Sequence, residues 1–250
     1  LFTKLKAHGP AVGLPSEDDM GNSEVGHNAI GAGRVFAQGA KLVNNSIGTG
    51  EIFQSPTWNT IVDRGINGGA VHFIGLLSDG NVHSHINQLF ALINKLADSG
   101  VKKVRLHPLI DGRDVPGKTA LIYIEQVEEL FKKINSDSLF DYKIASGGGR
   151  MKVTMDRYNA DWSIVKKGWD AHVLGIGRKF KSAADAVQTM YDENPEIIDQ
   201  YLDSFVIVDE NNQPVGKIVD GDSVINFNFR GDRAIEISRA FEDVEFTEFD

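Results

Sequence analysis

The feature that most restricts the possible folds is a repeated change of hydrophobic period, from unbroken apolar runs to amphipathic stretches, punctuated by glycine. AVHFIGLLSD (70–79) is apolar on both faces of any strand it forms, whereas HINQLFALINKLADSG (85–100) has helical spacing and stops at Gly100. The change then recurs. VKKVRLHPLID predicts a strand and TALIYIEQVEELFKKIN a helix, Tyr142 to Ala145 a short strand, and ADWSIVKKGWDAHVLG and SAADAVQTMYDEN two more helices. DSVINFNF predicts a last strand, and RGDRAIEISRAFE a helix beginning within or just after it. Upstream, Ser55-Pro56 reads as an N-cap with proline at the first helical position, opening a helix through Val62 that closes near Gly65. FVIVDENNQPVGKIVD alternates about Asn211-Asn212 as a hairpin would. Strands and helices joined this closely predict an α/β fold, a mostly parallel sheet with helices on both faces.

With 250 residues, 41% of them hydrophobic, the chain can bury a sizeable core. Its net charge of −9 argues against a broad basic surface, so neither nucleic acid nor membrane is expected as a partner. Cysteine is absent, which excludes disulfides and thiolate metal sites. No apolar run approaches the roughly 20 residues of a membrane span, and LFTKLKAHG lacks the apolar region of a secretory signal. A soluble, cytoplasmic, monomeric protein is expected. The sequon Asn44-Asn45-Ser46 is given no weight. A chain opening on Leu1 and stopping at FTEFD is expected to be a piece of a longer one.

In a parallel sheet, ligands bind beyond the carboxyl ends of the strands. Those ends carry SDGNVHSH with His83 and His85, DGRD with Arg113 and Asp114, GGGR with Arg150 and then MDR with Arg157, and NFRGDR with Arg230 and Arg233. Five of the ten arginines therefore lie at one sheet edge of an acidic protein. Guanidinium forks make paired, charge-assisted hydrogen bonds, so their convergence predicts a small ligand with phosphate or carboxylate groups. Any one of these arginines alone reads as a solvated charge or an ion-pair partner. Asp114 alone reads equally as a turn residue or as support for Arg113, and His83 or His85 as a cap for the helix that follows. His107 reads as a core or edge histidine, and GAGR (31–34) follows no strand, so it is not a nucleotide motif.

Ser23, in MGNSEVGH, is open to three readings: turn residue, N-cap of a helix through EVGHNAIG, or nucleophile. No Ser-His-acid arrangement or G-x-S-x-G elbow surrounds it, so a nucleophilic role would need another activator, a metal ion being the obvious one.

GLPSEDDMGNSEVGHNAIGAGR, LLSDGNVHSH, DGRDVP, SGGGR with MDRY, and NFRGDRA stand in the order in which they occur in the cofactor-independent phosphoglycerate mutases of the alkaline phosphatase superfamily. GGGRMKVTMDRYNADW is most similar to the plant and trypanosomatid branch. The resemblance implies an isomerase that interconverts 3-phosphoglycerate and 2-phosphoglycerate through a phosphoserine, without 2,3-bisphosphoglycerate. It implies that Ser23 is phosphorylated and contacts one of two Mn2+ or Mg2+ ions. Substrate would be bound by His83, Arg113, Asp114, Arg150, Arg157, Arg230 and Arg233, with Asp114 also an acid or base. His27 and His85 lie inside matching motifs without an assigned role. Residues 1–38 would belong to the metal-binding phosphatase-like domain and 39–250 to most of an inserted transferase domain. The remaining metal ligands are missing from this sequence, so these residues alone are expected to be inactive. A phosphatase or phosphopentomutase of the same superfamily, or a binding module for phosphorylated acids, are the competing expectations.

Overall fold

The expected alternation becomes a seven-stranded sheet in the computed structural model, which describes residues 2–250. After helices α1 (Ser23–Ala32), α2 (Gly39–Thr49) and α3 (Pro56–Ile66) the chain enters β1 (Val71–Leu77), then α4 (Ile86–Asp98), β2 (Lys103–Ile110), α5 (Ala120–Ile134), β3 (Asp141–Ile144) and β4 (Ser146–Gly149). There follow α6 (Trp162–Trp169), β5 (Arg178–Phe180), α7 (Ala183–Glu193), β6 (Phe205–Ile207), β7 (Ser223–Asn226) and α8 (Ile235–Glu242). The strand order is β5-β6-β4-β2-β1-β7, with β3 also on β2. All pairings are parallel except β4 with β6.

Side-chain alternation explains why both sheet faces need cover. Val71, Phe73 and Leu77 of β1 and Val104, Leu106 and Ile110 of β2 pack with Leu89 and Ile93 of α4, Ile124 and Val127 of α5, and Val187 of α7. The opposite set, Ile74, Leu76 and Leu109, packs with Val153 and Met155, and Phe241 of α8 closes over them. Each large side chain fully buried this way contributes about 1.5–3 kcal/mol. Val12, Leu14 and Val25 form a small separate cluster in the N-terminal segment. No helix among the described residues is long and apolar enough to cross a membrane.

Three elements add to those expected, and one expected element shrinks. Residues 39–49, unassigned in the sequence reading, form a helix. SGGG forms a strand, because its bare backbone fits where a side chain would not: a Cβ on Gly149 would lie 2.5 Å from the Asp199 carbonyl oxygen. The triplet Arg178–Phe180, two exposed cations and a buried phenylalanine, is an edge strand. The hairpin at 205–220 shrinks to a turn with one bridge between Val208 and Pro214, because β6 spends its pairing on β4 and β5.

Candidate functional site

The carboxyl ends of β1, β2, β4 and β7 converge, and Asp111 organises the first three. It follows β2, is 1% exposed, and receives hydrogen bonds from Ser78 Oγ at 2.7 Å and from the backbone N–H groups of Arg113 and Asp114, both at 3.1 Å. Arg150, just past β4, donates from Nη1 to Asp111 Oδ1 at 2.8 Å and to Asp114 Oδ2 at 2.5 Å. Arg150 is thus a buried keystone between two carboxylates. Arg150→Met should cost about 3–5 kcal/mol, because it strands a buried Asp111 without its counter-ion. Thermal denaturation checks this; an unchanged midpoint would return Arg150 to a peripheral role.

A second carboxylate centre lies at the end of β7. Asp232 Oδ2 accepts from Arg157 Nη1 and from Arg230 Nη2, each at 3.1 Å, while His83 Nδ1 lies 3.7 Å from Oδ1. The His83 carbonyl accepts from Phe229 N–H at 2.8 Å, holding the β7 loop against the β1 loop. Arg233 is buried and donates from Nη1 to the Met155 carbonyl at 2.6 Å, which ties the Arg157 loop to the β7 loop.

Electrostatics shows that these groups are gathered. His83 is pushed down to about 2, first by burial and then by the guanidinium groups of Arg150, Arg230, Arg233 and Arg157. Arg233 is lowered by burial and by Arg157, Arg150 and Arg113. The predicted arginines and His83 therefore share one electrostatic neighbourhood, with the imidazole neutral. Arg113 is the exposed member and makes no ion pair among the described residues. His83 Nδ1, Arg150 Nε, Arg230 Nε and Asp232 Oδ1 are buried without an aligned hydrogen-bond partner. Arg230 Nε does lie 2.9 Å from Glu24 Oε2 and 3.1 Å from Asp232 Oδ1, close enough for ion pairing but poorly aligned. Buried polar atoms normally find partners, so the Nε–H groups of Arg150 and Arg230, and His83 Nδ1 when it carries the proton, are donors suited to an acceptor such as an anionic ligand, whereas Asp232 Oδ1 is itself an acceptor and calls for a donor.

Ser23 lies at the mouth of this cluster. It lines a cavity of about 570 Å³ with Glu24, His27, Arg157, Arg230 and Asp232. The helix cap is Asn22, whose side chain accepts from Val25 N–H at 3.2 Å. Ser23 is therefore the first helical residue rather than the cap, and its hydroxyl is spared for other work. His27 Nδ1 lies 2.7 Å from the Ser23 carbonyl and 3.1 Å from Ser23 Oγ. A nitrogen that close to a carbonyl oxygen must carry the proton, so His27 Nδ1 is a donor there and not a base for the hydroxyl. His85 Nδ1 accepts from Asn87 N–H at 3.1 Å, capping α4. His107 is fully buried.

No group of three or more His, Asp, Glu or Cys side chains able to hold a metal ion occurs among the described residues. The donor set therefore does not fit a divalent cation without ligands from elsewhere, and Ser23 alone cannot hold one. A wider cavity of about 820 Å³ lies near α7, lined by Lys152, Lys167 and Arg178, the last two paired with Asp203 and Glu193. Asp111 and Asp232 were missed from the sequence; the signal was an acid inside each arginine motif, DGRD and FRGDR.

Comparison with known proteins finds relatives along nearly the whole chain. Residues 43–250 match the model of the BPG-independent PGAM N-terminus. A probable 2,3-bisphosphoglycerate-independent phosphoglycerate mutase of Leptospira interrogans is 57% identical over 98% of the chain and 45% of its own length. The 2,3-bisphosphoglycerate-independent phosphoglycerate mutase of Trypanosoma brucei is 53% identical over 99% of the chain and 45% of its own length. The crystal structure of Leishmania mexicana phosphoglycerate mutase at low cobalt concentration superposes with a TM-score of 0.96 at 51% identity, covering 98% of the chain and 45% of that protein. The chain thus spans about half the length of the relatives it matches.

Proposed function

The chain belongs to the BPG-independent phosphoglycerate mutase family, and on that footing we propose that it is the substrate-gripping part of an enzyme that moves a phosphoryl group between the two hydroxyls of glycerate. The observation that carries this reading is the neutral His83 ringed by Arg150, Arg157, Arg230 and Arg233 beside the Ser23 cavity. 3-Phosphoglycerate has a phosphate at one end and a carboxylate at the other, which matches cations arranged around a space of this size.

In this proposal the bond from phosphorus to the 3-oxygen of 3-phosphoglycerate breaks as one forms to Ser23 Oγ, with the serine's proton ending on the freed glycerate oxygen; glycerate reorients without leaving, and the reverse exchange returns the phosphoryl group to the 2-hydroxyl oxygen and that hydroxyl's proton to Ser23. Position at the first turn of α1 suits that role, since the free N–H groups of the helix start face phosphoryl oxygens. Arg157 and Arg230 hold the phosphoryl group and stabilise its developing charge, and Arg113 takes the carboxylate. Asp114, held by Arg150, is placed to move a proton at a glycerate hydroxyl. His83 stays neutral at pH 7 and donates one N–H without adding repulsion to the guanidinium cluster. Residues 1–38 would belong to the phosphatase-like domain and 39–250 to the transferase domain. Mn2+ or Mg2+, implied by the family resemblance, would need ligands from beyond these residues, and no step is assigned to it.

Because the metal donors are incomplete here, binding and transfer should separate. The 250 residues are expected to bind 3-phosphoglycerate in calorimetry and to leave it unchanged in phosphorus NMR, while the full-length protein with Mn2+ converts it to 2-phosphoglycerate. Release of inorganic phosphate by the full-length protein, with no 2-phosphoglycerate, would make it a phosphatase instead. Absence of binding would remove the substrate reading.

A further inference from the structure

A continuous chain of buried polar side chains crosses the sheet beneath this site, and no step of the proposed reaction uses it. Asp222 Oδ2, just before β7, lies 3.1 Å from His72 Nε2 on β1, and His72 Nδ1 lies 2.9 Å from His107 Nε2 on β2. His107 Nδ1 is 2.7 Å from Ser146 Oγ on β4, and Ser146 Oγ is 2.7 Å from His172 Nδ1 in the turn after α6. His172 Nε2 then lies 3.0 Å from Thr154 Oγ1. From His72 to Thr154 no member is more than 1% exposed.

The chemistry of the two kinds of link leaves one direction. A carboxylate only accepts, so His72 must carry its proton on Nε2, and a neutral imidazole then has a bare Nδ1. That bare nitrogen needs a donor, which makes His107 the Nε2–H form, and its own Nδ1 accepts from the Ser146 hydroxyl. The Ser146 oxygen accepts from His172 Nδ1–H, and His172 Nε2 accepts from the Thr154 hydroxyl. Burial agrees with neutrality: it lowers His72 to about 4 and His172 to about 3, and holds His107 well below the usual value.

Thr154 is where the chain meets the site. It has a positive φ of 68°, unusual for a β-branched residue, and its side chain lies against Gly168, where an added Cβ would come within 2.0 Å of its Oγ1. Its neighbour Met155 offers the carbonyl that holds Arg233, and Arg150 and Arg157 flank the same loop. We propose that the Asp222–His72–His107–Ser146–His172–Thr154 chain is a one-way hydrogen-bond line that positions the 150–157 loop, making Thr154, His172 and Ser146 positioning residues for the anion-binding arginines. Its link to substrate rests on the functional reading above; the proton order and the loop restraint do not.

Imidazole nitrogen-15 NMR at neutral pH should show His72 and His107 as Nε2–H tautomers and His172 as Nδ1–H. Any other set, or a doubly protonated ring among the three, overturns the proposal. Thr154→Val keeps the shape and removes the hydroxyl. It should speed amide exchange across 150–157 and weaken 3-phosphoglycerate binding about tenfold, the loss of roughly one buried hydrogen bond, while Thr154→Ser stays within about threefold of the parent. Ser146→Ala cuts the line away from the loop and should produce the same faster exchange, which keeps the test open if the valine variant does not fold. Parental exchange and affinity in Thr154→Val, or parental exchange in Ser146→Ala, would overturn the positioning role. If the unmodified protein binds no 3-phosphoglycerate yet shows these tautomers and exchange changes, the substrate reading fails and the line stands.

Discussion

Ser23→Ala in the full-length protein is expected to lower phosphoglycerate interconversion by at least about a thousandfold while leaving substrate affinity within about tenfold. The split follows from where the two kinds of group lie. Ser23 is an exposed residue in the first turn of α1, and Asn22 already satisfies the helix start, so removing one oxygen leaves fold and capping intact. Binding, in contrast, is assigned to the loops after β1, β2, β4 and β7, which the substitution does not touch. His27 cannot replace the lost group, because its Nδ1–H is committed toward the Ser23 carbonyl. Steady-state kinetics and mass analysis for a phosphorylated serine check the expectation together. Turnover near the parental rate, or phosphorylation elsewhere in the variant, would move the nucleophile away from Ser23.

How far the site could be read from the residues depended on which physical rule was involved. Arginines at the ends of successive parallel strands had to meet, because parallel topology brings those ends to one edge. Their division of labour was not visible: Arg150 turns inward to Asp111 and Asp114, whereas Arg113 stays exposed, and only packing distinguishes them. Strongly periodic elements such as α4, α5 and β1 were plain. The Ser146–Gly149 strand was not, because glycine has no side-chain alternation to read, and what selects it is close approach by the backbone at 199–200. The polar line failed to show for a related reason. His72 and His107 lie in apolar runs 35 residues apart, and register alone puts them on neighbouring strands facing the same way. Asn22 and Ser23 are both good capping residues, so a shift of one position decided whether the hydroxyl was used up or left free.

Acid should destabilise this fold unusually early, between about pH 6.5 and pH 4. His72, His83, His107 and His172 are at most 3% exposed and are held neutral by burial, with His72 lowered to about 4, His172 to about 3 and His83 to about 2. In the unfolded chain each takes up a proton near pH 6.5, so below that value the unfolded state binds more protons than the folded one and stability falls as pH falls. Each such histidine contributes a slope of about 1.4 kcal/mol per pH unit, and four acting together approach roughly 5 kcal/mol per unit. Asp199 and Glu236, raised chiefly by burial, act in the opposite sense by binding protons more readily in the folded state. Asp141, lowered by Arg105 and Lys143 against the cost of its burial, adds a loss that begins only near the carboxylate range. The two losses therefore separate on the pH axis, and the histidine one comes first. Urea midpoints measured at intervals from pH 7.5 to pH 4.5 should drop steeply below about pH 6. A flat profile down to pH 5 would mean that these imidazoles accept protons without unfolding, and the buried neutral line beneath the site would have to be redrawn.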